Sequence, residues 1–297
     1  MSRSFVTFTV GDRAGVHRQA NFAALSLLAN ADWDPSDSIV IVTDQPEWYR
    51  WLEGRVTTVH VDEATLEDWK GPAKHFFRIK IKAIQHALGR RPGDMIYIDA
   101  DIVCHQNLRG LFDVLSRGGC LMHEYEYQLS TKGGNAGEIW AKARGGRFGN
   151  LTLDTDVAMW NAGVVAIPEA AAERLLSEAL ECMDAMSASG LTSSHLEQLS
   201  LSMALAREGE LRPASEWLLH YWGNKAPWNA LIAAFLARVA LQQLTPDEAC
   251  AAFKEIDLSL PLRIPRGKGE RFMNSLRKRL FPRDHEVAAA VERNLTA

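Results

Sequence analysis

Hydrophobic and polar positions follow two alternating patterns along the N-terminal third of the chain. Short apolar and β-branched runs bounded by Gly, Pro or Asp are typical of strands, and longer segments with one apolar face predict helices. Strands are predicted at residues 5–10, 38–43, 55–61 and 95–98, and helices at 17–30, through Leu52 and at 74–88. Because strands that alternate with helices form βαβ units, we predict an α/β protein whose central sheet is mostly parallel and flanked by helices.

The pattern changes in the second half of the chain. Glycines recur between residues 131 and 150 and predict a mobile loop, either a lid over a bound acceptor or a plain surface loop. A further strand is predicted at 159–167, with helices at 169–186 and 193–207. The sheet is therefore expected to continue beyond this loop.

Composition narrows the class of protein. The chain has 297 residues, of which 47% are hydrophobic and 24% charged, and this excludes a disordered chain. The net charge is -4, so the chain lacks the overall excess of basic residues that is typical of nucleic-acid-binding proteins. The four cysteines form no C-x-x-C pair, which favours reduced thiols over zinc or disulfides. With no signal-peptide pattern and no apolar run of the ~20 residues that span a bilayer, we expect a cytoplasmic protein.

The C-terminal part has a different character. From about residue 230 the sequence pattern indicates a helix, and the residues after it are increasingly basic. We therefore predict a domain at 1–228 and a helical, basic extension at 229–297. Residues 263–283 combine many Lys and Arg with a single acid, Glu270. A cationic amphipathic helix is typical of a membrane-surface anchor, here at the inner leaflet. The alternative is a helix packed on the domain with its basic face in solvent.

The strongest local motif joins a buried-type strand to two aspartates. The string DMIYIDAD at residues 94–101 ends in Asp99 and Asp101. Ligands of open parallel sheets bind beyond the carboxyl ends of the strands, where these carboxylates are expected. Paired carboxylates suit Mg²⁺ or Mn²⁺ and are often shared with substrate phosphates. The alternative is two solvated aspartates at a strand end.

A second motif, HYWGNKAPW at residues 220–228, places a histidine before a glycine turn and a lysine. An imidazole such as His220 can complete a manganese site built on carboxylates. Gly223 permits close approach of the backbone to a phosphate, and Lys225 supplies positive charge. A single histidine beside aromatic residues is otherwise a hydrogen-bonded core residue.

Two weaker motifs add polar side chains. Asn161 heads the apolar string NAGVVAI at residues 161–167, where its amide could touch a bound sugar or simply begin a turn. Glu197 and Gln198 stand on an otherwise apolar, Ser-rich segment. A plain role for Glu197 is to complement the dipole in the first turn of a helix.

Taken in order, these strings resemble those of retaining nucleotide-sugar glycosyltransferases of glycosyltransferase family 8, which includes lipopolysaccharyl galactosyltransferases and glycogenin. The resemblance covers about residues 5–228. It implies a Rossmann-like GT-A fold and transfer of a hexose from a nucleotide sugar, with UDP-glucose or UDP-galactose expected. The acceptor would be a glycan or a lipid-linked molecule.

The resemblance also implies roles for individual residues. Asp99, Asp101 and His220 would bind Mn²⁺, or Mg²⁺, at the donor diphosphate. Asn161, Glu197 and Gln198 would lie near the donor sugar, with Gln198 close to the anomeric carbon. The remaining donor-binding positions are Thr9, Asp12, Arg78, Ala100, Gly223 and Lys225.

The sequence departs from the family pattern at three places. Lys225 stands one residue closer to His220, a Glu-Gln pair replaces Asp-Gln, and Arg78 lies four residues farther from the two aspartates. Arg78 nevertheless falls on a basic stripe with Lys74 and Lys82, at the i, i+4 and i+8 spacing of one helix face. That stripe would face either the anionic donor or solvent.

The sequence also allows two other classes of protein besides a retaining glycosyltransferase. A sugar-1-phosphate nucleotidyltransferase would share the fold and metal, but its G-x-G-T-R signature is missing after the first strand, at residues 10–15. A non-catalytic sugar-nucleotide-binding module would tolerate loss of Asp101 or His220. An inverting transferase would need a carboxylate base, for which Asp156 and Glu197 are candidates.

Overall fold

The structure, a computed structural model, describes residues 2–91 and 93–259. Its strands are β1 (Arg3–Thr9), β2 (Ser38–Thr43), β3 (Thr57–His60), β4 (Asp94–Ile98), β5 (Ile102–Cys104), β6 (Leu121–Met122), β7 (Tyr125–Gln128), β8 (Arg147–Phe148), β9 (Leu151–Thr152), β10 (Ala158–Trp160), β11 (Val164–Ile167), β12 (Arg212–Pro213) and β13 (Leu218–His220).

The helices are α1 (Ala14–Asn30), α2 (Glu63–Trp69), α3 (Arg78–Leu88), α4 (Arg109–Ser116), α5 (Gly134–Ala143), α6 (Glu169–Ala188), α7 (Leu196–Leu205), α8 (Lys225–Leu241) and α9 (Pro246–Phe253). Short 3₁₀ helices lie at Pro46–Leu52, Leu129–Thr131, Ala206–Glu208 and Trp222–Asn224.

Within the described residues, the largest sheet has seven strands in the order β12-β6-β11-β4-β1-β2-β3. Strands β3, β2, β1 and β4 are parallel, β11 is antiparallel to β4 and β6, and β12 is parallel to β6. This confirms the predicted Rossmann-like α/β architecture and fits a GT-A fold. The strand order reverses between β1 and β4, and a crevice opens beyond the carboxyl ends of strands at such a point.

Alternating side chains divide the apolar core between the two faces of this sheet. Along β1, Phe5 packs on one face and Val6 on the other, as Ile41 and Val42 do along β2. The face that carries Phe5 is covered by α1, α8 and α9, and the face that carries Val6 by α3, α6 and α7. Strands buried on both faces explain the continuous apolar runs of the sequence.

The structure corrects several predicted element bounds. The helix predicted at 74–88 begins only at Arg78, because the chain turns before it and Lys74 adopts a positive φ of 50°. The strand predicted at 159–167 is split into β10 and β11 by a turn at residues 161–163. The helix predicted at 193–207 is α7, which begins at Leu196 and is followed by a 3₁₀ turn.

The prediction of a glycine-rich mobile loop at 131–150 is wrong for most of that segment. Residues Gly134–Ala143 form helix α5, whose Ala136, Ile139 and Ala143 are buried against the core. Strands β8 and β9 then form a hairpin whose turn contains Gly149, with a φ of +59°. The apolar spacing of α5 is helical, so tertiary burial outweighs the low helix propensity of its glycines.

The start of the C-terminal extension packs on the core. Helix α8 runs across residue 228 and buries Trp228, Ile232 and Phe235 beside α1. The division at 228 stays a prediction, and the basic segment 263–283 lies outside the described residues. None of the helices that the structure describes has the length and apolarity needed to cross a membrane.

Candidate metal and ligand site

A cleft of about 700 Å³ opens beyond the carboxyl ends of β1 and β4. Two exposed aromatic side chains, Phe76 and Phe77, stand at its wall with relative exposures of 53% and 42%. The other lining residues are Phe8, Thr9, Val10, Gly11, Arg13, Val16, Gln19, Lys80, Tyr97, Asp99, Ala100, Asp101 and Lys225. The cleft therefore combines an apolar wall with a charged floor.

An imidazole meets the two carboxylates of this floor. Asp99 follows β4 directly, and Asp101 lies in the turn that leads into β5. Antiparallel pairing of β13 with β5 sets His220 opposite Ile102 and so brings its ring to Asp101. One ligand atom each of Asp99, Asp101 and His220 lies within 4.8 Å of the others.

The donor set fits a divalent cation. Carboxylate oxygens and a neutral imidazole nitrogen are ligands for Mn²⁺ or Mg²⁺, and three such groups leave positions open for other ligands. Asp101 is buried, with its Oδ1 3.3 Å from His220 Nε2 and its Oδ2 2.8 Å from Lys225 Nζ. Burial opposes ionisation of Asp101, but His220 and Lys225 outweigh it and lower the pKa of this carboxyl group.

A largely buried lysine connects the floor to helix α7. Lys80 Nζ lies 3.2 Å from Asp99 Oδ1, 3.2 Å from Glu197 Oε1 and 3.1 Å from the carbonyl oxygen of Ala162. Burial opposes the charge of Lys80, but the Asp99 and Glu197 carboxylates outweigh it and raise the pKa of the ammonium group. Lys80 therefore stays protonated and compensates two acids at the edge of the cleft.

Glu197 is more deeply buried than a first-turn helix residue needs to be. Its residue exposure is 4%, and its Oε1 contacts Lys80 as an ion pair. Burial raises the pKa of Glu197, while the nearby Lys80 opposes that rise. Asp99 has a second partner, because the Tyr97 hydroxyl donates to its Oδ1 over 2.7 Å.

The turn between β10 and β11 fits against the histidine. Asn161 Oδ1 accepts hydrogen bonds from the backbone N–H of Gly163 at 2.9 Å and from His220 Nδ1 at 3.0 Å. A Cβ at Gly163 would lie 2.4 Å from the His220 ring, so only glycine fits there. The rings of His123 and His220 pack nearly perpendicular to each other, and burial, with the His220 charge, lowers the pKa of His123 to about 4.

Glu126 on β7 links two of the predicted site residues. Its Oε1 accepts from Asn161 Nδ2 at 3.0 Å, and its Oε2 accepts from Gln198 Nε2 at 2.9 Å. The sequence analysis missed both Glu126 and Lys80. Neither stands in a motif, and only their approach to Asn161, Gln198 and Asp99 in three dimensions marks them.

The predicted residues divide into those that the cleft brings together and those that lie elsewhere. Thr9, Ala100 and Lys225 line the cleft with the two aspartates, although the Thr9 hydroxyl is bonded to Tyr49 at 2.8 Å. The other predicted residues are not among those that line it: the donor-binding positions Asp12, Arg78 and Gly223, and also Asn161, Glu197, Gln198 and His220.

Arg78 instead lies against helix α6. Its Nε and Nη2 donate to Asp184 over 2.7 Å and 2.9 Å, and its Nη1 donates to the carbonyl oxygen of Trp69 over 2.8 Å. Residues two apart on a helix are rotated by roughly 200°, so Arg78 and Lys80 point to opposite sides of α3. The structure thus places Lys80, and not Arg78, at the cleft.

Comparisons with known proteins give likenesses to solved structures only. No protein-family model and no curated protein sequence matches the chain. Among solved structures, the apo form of mouse xyloside xylosyltransferase 1 is similar over 72% of this chain and 85% of its own, with 15% sequence identity and a TM-score of 0.45. At this level of similarity the likeness does not indicate a function, and membership of glycosyltransferase family 8 stays a prediction.

Proposed function

We propose that this protein is a metal-dependent glycosyltransferase that uses a nucleotide sugar. The observation that carries the proposal is the convergence of Asp99, Asp101 and His220 beside Lys225, on the floor of a cleft at the β1/β4 crossover point. Such a crossover point in a parallel sheet is a general site for nucleotides. The order of the motifs in the sequence supports a sugar nucleotide among the possible ligands.

The charges of the floor suit departure of a diphosphate. Glycosyl transfer breaks the bond between the anomeric carbon and the diphosphate oxygen, which takes the electron pair. A divalent cation held by Asp99, Asp101 and His220 would neutralise that oxygen as a Lewis acid. Lys225, whose side chain is half exposed, can reach the same phosphates. Positive charge placed where negative charge develops raises the rate.

The opposite side of the site suits the sugar. The side-chain NH₂ groups of Asn161 and Gln198 donate to Glu126, and the Lys80–Glu197 ion pair lies beside Asp99. We propose that the donor sugar lies next to these residues. In the reaction, the acceptor hydroxyl oxygen bonds to the anomeric carbon and its proton passes to a base. We propose a hexose as the transferred sugar, UDP as the carrier and retention of configuration, with a glycan or lipid-linked acceptor.

A thermal-shift panel tests the donor site. UDP-, GDP- and CMP-sugars are compared with and without Mn²⁺, because a ligand of the folded state raises the melting temperature by mass action. We expect stabilisation by UDP-sugars only when Mn²⁺ is present, and its loss in Asp101→Asn. The exposed Asp113→Asn removes the same charge elsewhere and should behave as wild type. Silence of the wild-type protein across the panel would overturn the proposal.

Product analysis tests the chemistry. Once the panel has identified a donor, the anomeric configuration of the product, measured by NMR on model acceptors, distinguishes retention from inversion. Release of diphosphate from a sugar 1-phosphate and a nucleoside triphosphate would instead identify a nucleotidyltransferase. Donor binding without turnover by any acceptor would favour a binding module.

A further inference from the structure

A second cavity lies between helix α7 and the segment that leads from β9 into β10. Its volume is about 340 Å³, which is within the range of sites for small molecules. It shares no lining residue with the cleft at the candidate metal site. The cavity is therefore a separate place where a ligand can bind.

The lining of this cavity combines an aromatic ring with hydroxyl and carboxylate groups. Trp160, the last residue of β10, is partly buried and packs against the apolar core. Thr152, Asp154 and Asp156 are exposed and add polar groups to the same cavity. A sugar ring presents apolar C–H groups on its face and hydroxyl groups along its edge. An indole beside hydrogen-bonding side chains therefore suits a carbohydrate.

The charges of the lining favour a sugar without negative charge. Within the part of the chain that the structure describes, Asp154 and Asp156 form no ion pair, whereas Arg207 is compensated by Glu178 Oε2 at 3.1 Å from its Nη1. Two free carboxylates repel a uronate or a phosphorylated sugar. They accept hydrogen bonds from the hydroxyl groups of a neutral one.

Two elements connect the cavity to the candidate active site. Trp160 lines the cavity and directly precedes Asn161 in the chain. The Ser202 hydroxyl, also in the lining, accepts the backbone N–H of Trp160 at 3.0 Å and donates to the carbonyl oxygen of Gln198 at 2.8 Å. Because a helix rises about 1.5 Å per residue, Ser202 stands roughly 6 Å along α7 from Gln198. A short oligosaccharide can span from the cavity to Gln198.

We propose that this cavity binds a neutral oligosaccharide and serves as the acceptor subsite of the enzyme. The acceptor role rests on the proposed function, whereas binding of the sugar does not. The terminal unit of the acceptor lies toward Gln198 and Asn161, and the cavity holds the units behind it. Binding of these remote units orients the reacting hydroxyl group.

The first test needs neither metal nor donor. Saturation-transfer difference NMR of the full-length protein uses mixtures of neutral di- and trisaccharides built from glucose, galactose, mannose and N-acetylglucosamine. We expect a signal in wild type and its loss in Ala206→Trp, because the indole fills the cavity from an exposed position. Ala240→Trp, equally exposed on α8, should match wild type. No signal in wild type, or a wild-type signal in Ala206→Trp, would overturn the proposal.

A second pair of variants tests the carboxylates. Asp156→Ala should raise the Kd of the bound saccharide about tenfold, because hydrogen bonds to a charged group are lost. Asp113→Ala removes an exposed carboxylate on α4 and should bind as wild type. Circular dichroism and melting temperature verify that the variants are folded. A Kd for Asp156→Ala within about twofold of wild type, or tighter binding of a uronic-acid analogue by wild type, would refute the assigned recognition.

Kinetics separate the acceptor role from the proposed function. With the donor that the thermal-shift panel identifies, Ala206→Trp should raise the KM for the saccharide tenfold or more, while UDP with Mn²⁺ still stabilises this variant. An unchanged KM would refute the acceptor role. If a saccharide binds in the cavity but no nucleotide sugar binds, the proposed function fails and the carbohydrate site stands. If a donor binds but no saccharide does, the inference fails and the proposed function stands.

Discussion

Nε2 of His220 lies 3.3 Å from Oδ1 of Asp101, although the two residues come from different halves of the chain. Pairing of β13 with β5 produces this contact, and the other oxygen of Asp101 is taken by Lys225 at 2.8 Å. A cation bound at Asp101 would therefore compete with the lysine for one carboxylate. A diphosphate would relieve that competition by giving the ammonium group a new partner.

This arrangement predicts opposite effects of Lys225→Met on two ligands. Affinity for Mn²⁺ alone should rise, by up to about tenfold, because a half-exposed positive charge is removed from the site. Affinity for UDP in the presence of Mn²⁺ should fall, because the diphosphate loses a cationic partner. Calorimetric titration measures both, with Lys82→Met as the control. Parallel changes in the two affinities would contradict the competition.

Gly163→Ala should disable the site while leaving most of the fold intact. The added Cβ would meet the His220 ring at 2.4 Å and Asn161 Oδ1 at 3.0 Å, so the imidazole must move. Overpacking of this kind costs about 1–3 kcal/mol of unfolding free energy. We expect Mn²⁺ binding to be lost in an EPR titration. A Cβ at Gly133 would meet open space, so the control variant Gly133→Ala should change neither stability nor binding by much. If Gly163→Ala bound Mn²⁺ with wild-type affinity, His220 would not be a ligand.

Local pattern was enough to predict the parallel half of the sheet and the two aspartates. Strand β2 has the predicted bounds, and Asp99 follows β4 as expected. Both strands are buried on their two faces, and such strands appear in a sequence as continuous apolar runs. Helix α5 was missed because its glycines outweigh its apolar spacing locally, and only burial of Ile139 and its neighbours stabilises it. Such contacts between distant residues cannot be predicted from a short stretch of sequence.

The residues around the metal ligands could not be predicted in the same way. Lys80 stands between Ile79 and Ile81 and outside the regular stripe of Lys74, Arg78 and Lys82, so no local pattern distinguishes it from a solvated lysine. Glu126 lies on a two-stranded sheet that forms only because β7 pairs with the distant β10. Its two amide partners come from still other elements, so no local pattern marks it.

Phe76→Ala should weaken binding of UDP. Phe76 is 53% exposed at the wall of the cleft, so it is placed to pack on a flat base. Stacking of a base on an aromatic side chain is worth about 1–3 kcal/mol, which corresponds to a rise in Kd of roughly fivefold or more. Titration of UDP with Mn²⁺ measures this. Leu241→Ala, at an exposed site outside the cleft, is the control, and equal Kd values in the two variants would remove Phe76 from the base site.

The Lys80–Glu197 pair should control how stability depends on pH. Removal of one partner from a buried ion pair costs about 3–5 kcal/mol of unfolding free energy, so we expect Lys80→Met to be destabilised by about that amount near pH 8. Burial already raises the pKa of Glu197 and Lys80 opposes that rise, so the pKa should rise further without the lysine. The folded variant then binds a proton more tightly than the unfolded chain. The resulting stability is present at low pH and is lost as the pH rises through the folded pKa.

Urea denaturation of Lys80→Met should therefore show a larger free energy of unfolding near pH 5 than near pH 8. The double variant Lys80→Met/Glu197→Gln supplies the control, because its buried amide has no charge to neutralise. We expect it to be more stable than the single variant near pH 8 and to show little of this pH dependence. If the single and double variants are equally unstable at both pH values, then the lysine stabilises the fold by packing its methylene groups and not by compensating Glu197.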